Sequence, residues 1–562
     1  MALPEARDGT RQAAGAGGGD EARRLSVHEL AGLAVGGMIG SGWLFASLES
    51  RHRGLAALWD WGLCGAMMVV LAAVMVELGT ARPKTGGLIF LPLQSSGTLV
   101  ATVMAAGLWI FYLTNGVSES LATTKVFALS FPGLLHSPGK ELSGWGLACA
   151  TALLAVIAAV NLLPPRPFVR IVLGLAVWKV LALVLVVVAL FRAGEYHRAE
   201  LYPAAHDPDP GDGGALPALV SSSMLFAYIG FQGPLDFAGN VKREGIGEAA
   251  RLRRAVYGTL AGATVLYFAA QVALLGHPEL SGYPAGDPHV LTGIVDRVGW
   301  PGYVLLADAV VAPLGTGLVY AHALTREVDT LAKAHLTHRG LQTASGRSLT
   351  VRGRPYEVYW KVLLVNFVLG SVILLAVRGT WETITSVNGI LTLVVYAMPG
   401  VVLVALGPAC SRRREAVRGI LARTGFLTIA LVLYWAESSR LWYGMAALMA
   451  GFLLLLGLPA LARTGLPLVG RGAYDAKEQL TLLRQWRTNP AAGAAVLLLG
   501  YLAALTALHS LTQQWPSDAR AGTSLFVLVL AAAVFEGLVR LSRRHRRPEP
   551  APEPGPADPV SR

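Results

Sequence analysis

The sequence predicts an all-α, polytopic membrane protein of about 14 transmembrane helices, the first ten arranged as two inverted repeats of five with helices 1 and 6 discontinuous. Three observations lead there. Apolar residues make up 54% of the chain and charged residues only 15%, with a mean hydropathy of +0.51, whereas soluble domains are nearer a quarter charged. The chain is divided into about 14 stretches of roughly 18 to 25 mostly apolar residues, each long enough to cross a bilayer core of about 30 Å as helix. The first and sixth of these are interrupted by glycine clusters, at matching places if segments 1 to 5 and 6 to 10 are copies of one unit.

In chain order the first repeat holds segments near 27–47, 56–78, 99–128, 143–163 and 168–191, within a unit spanning 26–191. The run Pro164-Pro165-Arg166-Pro167 divides the fourth from the fifth, because proline breaks a helix and the arginine adds a charge. The second unit, 192–407, holds segments near 217–237, 255–275, 301–324, 359–377 and 384–407. Segments near 419–436 and 441–461 occupy 408–461, and two further helices near 490–510 and 521–540 occupy 462–545. The Gly/Ala-rich, charged stretch 1–25 has no apolar core before a small-residue cleavage site, so it is expected to be a disordered cytoplasmic tail and not a signal peptide. The Pro, Glu and Ala of 546–562 are too polar to fold and suggest a second such tail. Cys64, Cys149 and Cys410 are scattered, which suggests neither a disulfide framework nor a thiolate metal site.

A formal charge of +12 raises the question of nucleic acid, but the basic residues sit in short clusters between apolar runs, so no nucleic-acid partner is expected. Lys and Arg concentrate instead in alternate loops, as membrane topology demands. The strongest clusters are Lys242, Arg243, Arg251, Arg253 and Arg254; Arg412, Arg413, Arg414 and Arg418; and Arg540, Arg543, Arg544, Arg546 and Arg547. The opposite loops carry Glu195, Glu200, Asp207, Asp209 and Asp212, then Glu279, Asp287 and Asp296. Both termini are therefore expected in the cytoplasm, with the protein in the cytoplasmic (plasma) membrane. The alternation requires an even number of crossings; 14, and 12 with two interfacial hairpins, both satisfy it.

The two breaks are the most informative features. Ala34-Val35-Gly36-Gly37-Met38-Ile39-Gly40-Ser41-Gly42-Trp43 packs four glycines into one helix, where each costs about 1 kcal/mol relative to alanine. Phe226-Ala227-Tyr228-Ile229-Gly230-Phe231-Gln232-Gly233-Pro234 interrupts the sixth. Small residues also serve close packing of membrane helices. As a matched pair, however, unwound helices in two repeats point to a transporter's binding site, where free amides and carbonyls face a cavity.

At these residues the chain resembles the amino acid, polyamine and organocation permease superfamily, from about Ser26 to Gly407. The motifs that carry the likeness are Gly37-Met38-Ile39-Gly40-Ser41-Gly42-Trp43-Leu44-Phe45; Glu77-Leu78-Gly79-Thr80 with Pro83 to Gly87; Trp178-Lys179; Phe226 to Phe231; and Pro313-Leu314-Gly315-Thr316-Gly317. Trp43 after Gly42 is most similar to the branch that includes aspartate and proton symporters. The resemblance implies a leucine-transporter-like 5+5 fold and proton-coupled amino acid symport by alternating access, of acidic amino acids such as aspartate. An exchanger, or a carrier of another organic cation or acid such as a polyamine, fits the same scaffold. The implied partners are an amino acid, a proton and the lipid bilayer. The chain departs from the pattern at Asn240-Val241-Lys242-Arg243-Glu244, where many relatives have Glu-Val-Lys-Asn-Pro, and in its last two helices, which add to the usual 12.

An amino acid presents a carboxylate and an ammonium, and a broken helix offers partners to both. Free amides of Ile39, Gly40, Ser41 and Gly42 would open the second half-helix, whose positive end suits the carboxylate, and the Ser41 hydroxyl could add a donor. Carbonyls ending the preceding half-helix, with those of Phe226, Ala227 and Tyr228, would suit the ammonium. Gln232 is a candidate selector. Phe231 is a candidate gate, packing being the alternative.

Charges within the bilayer cost at least about 2.5–3.5 kcal/mol and call for individual reasons. Asp60, Glu382 and Glu437 lie near helix ends and read as solvated; Glu77 ends a helix on the basic side and reads as ordering a loop. Glu119, Asp236 and Asp308 each fit either a cavity wall or a solvated end. Lys179 lies about 11 residues, or some 17 Å at 1.5 Å per residue, from either end of its helix, too far to reach water. It must find partners or shed its proton. The resemblance implies a proton-coupling role, shared with Glu119 and Asp308, in which carbonyls near Gly36 and Gly37 and the Thr316 hydroxyl receive the ammonium. The alternative is a structural lysine paired with Asp308 or Glu119. No metal-ligand spacing, phosphate-binding glycine loop or nucleophile elbow occurs, which argues against an ATPase subunit, a cofactor or an enzyme.

Overall fold

A computed structural model of the chain describes residues 26–82, 87–136, 141–196, 216, 223–233, 247–283, 287–334, 336–341, 348–351, 354–377, 381–407, 411–461 and 484–545. Both tails, the acidic run Glu200–Asp212, Pro234, Asp236, the 240–244 departure and Cys410 lie outside them. The helices are α1 (Val27–Met38), α2 (Ser41–Ser50), α3 (Ala56–Ala81), α4 (Gly87–Ser96), α5 (Thr98–Phe127), α6 (Gly144–Val160) and α7 (Pro165–Ala193). They continue with α8 (Met224–Tyr228), α9 (Glu248–Leu275), α10 (Val290–Val298), α11 (Trp300–Lys333), α12 (Trp360–Val377) and α13 (Trp381–Leu406). The last four are α14 (Arg412–Trp435), α15 (Ser438–Leu461), α16 (Pro490–Thr512) and α17 (Ser517–His545).

Among the described residues ten helices are long and apolar enough to cross a membrane, or eleven if α1 and α2, bent by 44° at their junction, form one span. That is fewer than the 14 read from hydropathy. Gly144–Val160 and Trp360–Ala376 are shorter apolar helices, and little of the sixth segment is described. Two local differences stand out. The stretch before segment 3 forms α4, with Pro92 inside it, so the chain turns at Gly97 into α5 rather than entering as a loop. A two-stranded antiparallel ribbon, β1 (Ser348–Val351) with β2 (Arg354–Glu357), sits between α11 and α12, so the helical description holds for the spans and not for every connection.

Local chemistry accounts for the boundaries that position the site. Ser26 starts α1 with a capping box: its hydroxyl accepts from the Glu29 amide at 3.3 Å while Glu29 accepts from the Ser26 amide at 2.9 Å. Proline at the first position begins α7 at Pro165, where its missing N–H costs nothing. At the centre stand α5 and α13, buried along almost their whole apolar length, whereas α15 and α17 leave most of theirs exposed. Helices α1, α7 and α11 pack on one another, and α11 packs along the central α5, which gathers the first break and Lys179 into the interior.

Asp60 is not solvated. It is 1% exposed and receives Arg53 Nε at 2.7 Å, so its charge is neutralised beside a helix end. Glu382 likewise pairs with the buried Lys125 at 2.8 Å, and Glu437 with Arg440 at 2.6 Å.

Candidate functional site

Helix α1 stops because Ile39 (φ −85°, ψ 84°) and Gly40 (φ −119°, ψ −144°) leave helical geometry before α2 resumes at Ser41. The second break follows α8, where Gly230 adopts φ +130°, a conformation open to glycine alone in practice. The two breaks meet. A Cβ on Gly230 would lie 2.5 Å from the Gly37 carbonyl carbon, and one on Gly42 would lie 2.8 Å from Ala227 Cα. Backbone therefore touches backbone, which any side chain would prevent.

Tyr267 of α9 ties the breaks together: its hydroxyl lies 3.1 Å from both the Met38 and the Ala227 carbonyl oxygens. Behind it Trp61 packs on Tyr228 and Tyr267 at 5.8 and 5.3 Å between ring centroids. Trp381, at the start of α13, donates Nε1–H to the Ser41 hydroxyl at 3.1 Å and packs against Phe45 and Phe226 at 4.9 and 6.0 Å. Neither Tyr267 nor Trp381 stood out in the sequence. A tyrosine hydroxyl midway along an apolar helix was the available signal for the first, whereas Trp381 looks like an ordinary interfacial aromatic.

The amides expected to be free at the first break are not all free. Ile39 N–H donates to Val35 O at 2.9 Å and Gly40 N–H to Met38 O at 3.1 Å, because the chain makes a tight turn that uses them. Ser41 N–H donates to Glu119 Oε2 at 3.0 Å. Glu119 is fully buried, so the solvated-end alternative does not hold for it. Its Oε1 has no hydrogen bond among the described residues, and a Cβ on Gly40 would stand 2.5 Å from that oxygen. An internal carboxylate thus rests at the positive end of α2, where anions are favoured.

On the other side, the Phe226 carbonyl accepts from Ile229 N–H at 3.2 Å and the Ala227 carbonyl from Tyr267, so two of the three expected carbonyls already have donors. Gln232 turns inward on its own loop, its Oε1 accepting from Gly230 N–H at 2.8 Å. Phe231 is fully buried with its ring edge-on to Tyr396 at 5.6 Å.

Lys179 of α7 is fully buried. Its ammonium donates to Gly36 O at 2.9 Å and to Thr316 Oγ1 at 2.8 Å. The Thr316 hydroxyl in turn lies 2.8 Å from Gly36 O and 3.1 Å from Ile39 O. One ammonium therefore joins α1, α7 and α11 at the broken end of α1. Gly37 takes no part in this, since it faces Gly230 instead. Lys179 forms no ion pair among the described residues. Asp308, on the same α11, is 1% exposed with neither oxygen hydrogen-bonded within the described residues.

The family model described as amino acid permease matches residues 25–471. The chain belongs to that family. The permease is 27% identical over 457 residues to the glutamate/serine transporter AimA of Bacillus subtilis, covering 78% of this chain and 80% of the relative. It is 24% identical over 455 residues to the aspartate-proton symporter of the same organism, covering 78% and 84%. It is also 27% identical over 219 residues to L-asparagine permease 2 of Mycobacterium tuberculosis, covering 37% and 43%. The permease is thus a multi-pass integral membrane protein whose relatives are amino acid transporters, and α16 and α17 lie beyond the matched region.

Proposed function

We propose that the permease is a secondary active, proton-coupled amino acid symporter that works by alternating access on two inverted five-helix repeats, 26–191 and 192–407, within a 14-helix chain. The observation that carries this reading is the Lys179 ammonium held by Gly36 O and Thr316 Oγ1 at the broken end of α1. Protonated, it clamps α1 to α7 and α11. Deprotonated, it loses its charge and one of its three donors, which weakens its hold on Gly36 O and Thr316 Oγ1, and the first repeat is released from α11. Glu119 and Asp308, both buried near it, complete the proton-coupling set.

The substrate is an amino acid of the acidic class, in keeping with two relatives that are a glutamate/serine transporter and an aspartate-proton symporter. Its carboxylate takes the positive end of α2 at Gly40, Ser41 and Gly42, displacing Glu119 from the Ser41 amide. Its ammonium meets carbonyls of the α8 break at Phe226 to Tyr228. Phe231 and Gln232 move with that break. Both termini lie in the cytoplasm and the protein resides in the cytoplasmic membrane, consistent with its basic clusters.

Uptake of a panel of labelled amino acids into proteoliposomes, with and without an inward proton gradient, tests the reading. Acidic amino acids are expected to accumulate only with the gradient. Uptake driven by a counter-gradient of internal amino acid, and indifferent to pH, would make the protein an exchanger. Lys179→Ala and Lys179→Met are expected to fold and to lose proton-driven accumulation; if either concentrates substrate as the wild type does, Lys179 has no coupling role.

A further inference from the structure

At the basic end of the bundle the C-terminal turns of α3 meet the first turns of α9 and α14 around a cavity of about 770 Å³. That is the size of a pocket for an organic ligand rather than for a single ion. Glu77 of α3 is shared between two guanidiniums, Arg253 NH2 at 2.8 Å from Oε1 and Arg418 NH2 at 3.2 Å from Oε2. Arg413 and Arg414 line the same cavity and form no ion pair among the described residues. Among the described residues that line the cavity, four arginines thus stand with one carboxylate.

The placement of Arg413 and Arg414 sharpens the imbalance. They stand in the first turn of α14, the positive end of a helix, where acidic residues are favoured and cations are not. Ser411, at the N-cap, makes no side-chain capping bond. Glu415, the acidic residue of that turn, is exposed and does not line the cavity, so among the described lining residues Glu77 is the one anion facing these charges. The next turn of α14 is apolar and open: Val417 lines the cavity at 57% exposed, and Ile420 beside it is 63% exposed. A ligand that satisfies both halves has an anionic head and an apolar tail.

We propose that this cavity binds the headgroup of an anionic phospholipid, with Arg413, Arg414, Arg418 and Arg253 around its phosphate and an acyl chain along Val417 and Ile420. Basic pockets between helix ends are a recurring way for membrane proteins to select such lipids. The site is distinct from the broken helices and does not depend on the transport reading.

Native mass spectrometry of the full-length protein released from nanodiscs of phosphatidylcholine with increasing phosphatidylglycerol tests it. The wild type is expected to retain one phosphatidylglycerol in preference to phosphatidylcholine. The R413Q/R414Q double variant should bind it about thirty-fold more weakly, at the usual contribution of each basic residue near an anionic surface. Val417→Glu, which leaves every arginine in place, should weaken it as well. R540Q/R544Q, which removes two arginines elsewhere on the basic side, should leave retention unchanged. Equal losses from both double variants would reduce the effect to general surface attraction and overturn the site. Undiminished retention in R413Q/R414Q would overturn it too. Displacement of the lipid by equimolar glycerol phosphate or inorganic phosphate would mean that a free phosphate, and not a lipid, is the ligand.

Discussion

Gly42 shows at residue scale how a missing side chain can matter. A Cβ there would lie 2.8 Å from Ala227 Cα and 2.9 Å from a ring carbon of Phe226, while a Cβ on Gly62 meets nothing within 4 Å. Gly42→Leu and Gly40→Leu are therefore expected to abolish substrate binding measured by isotope displacement, and Gly62→Leu to leave it within a few-fold of wild type. Tyr267→Phe removes the one hydroxyl placed between the Met38 and Ala227 carbonyls. Leaving buried acceptors without a donor costs about 1–3 kcal/mol, so this variant should melt at lower temperature than wild type, and an unchanged transition would show that the tie is dispensable. Lys179 was visible in the sequence because a charge 17 Å or so from either helix end demands a reason. Its choice of Gly36 and Thr316 over a carboxylate is a matter of which helices neighbour it, which no local pattern states.

The broken helices were legible as elements from glycine density alone. Their state was not. Ile39, Gly40 and Ser41 all present amides in the sequence, yet two are consumed by the turn and the third by Glu119, 78 positions away along the chain. The same holds for the last two helices, whose apolar length predicts them and whose anchorage only packing reveals. Arg520 of α17 donates to the Tyr434 carbonyl at 3.0 Å, and its guanidinium lies 4.6 Å from the ring centre of Trp435, fastening α17 to the end of α14. Removing a charged hydrogen bond and a cation–π contact costs about 2–3 kcal/mol. Arg520→Ala should therefore increase amide hydrogen exchange in α17 while leaving α1 and α11 protected; exchange unaltered in α17 would mean that apolar packing alone holds it.

For the whole molecule the prediction is topological. In a background lacking Cys64, Cys149 and Cys410, Ser561→Cys and Asp209→Cys should react with an impermeant maleimide from opposite sides of the membrane; labelling from the same side would overturn the orientation drawn from the basic clusters. The sequence by itself determined that the chain is a multi-pass membrane protein and which family its motifs resemble. These follow from local properties, since bilayer thickness sets segment length and hydropathy sets insertion. Only the tertiary structure decided that Gly37 faces Gly230, that Glu119 rests on the Ser41 amide, that Tyr267 and Trp381 close the two breaks, and that Asp60 is buried with Arg53. Most of these join residues far apart along the chain, and which helices become neighbours, and so which of their residues come within hydrogen-bonding distance, is not stated by the local pattern of a single sequence.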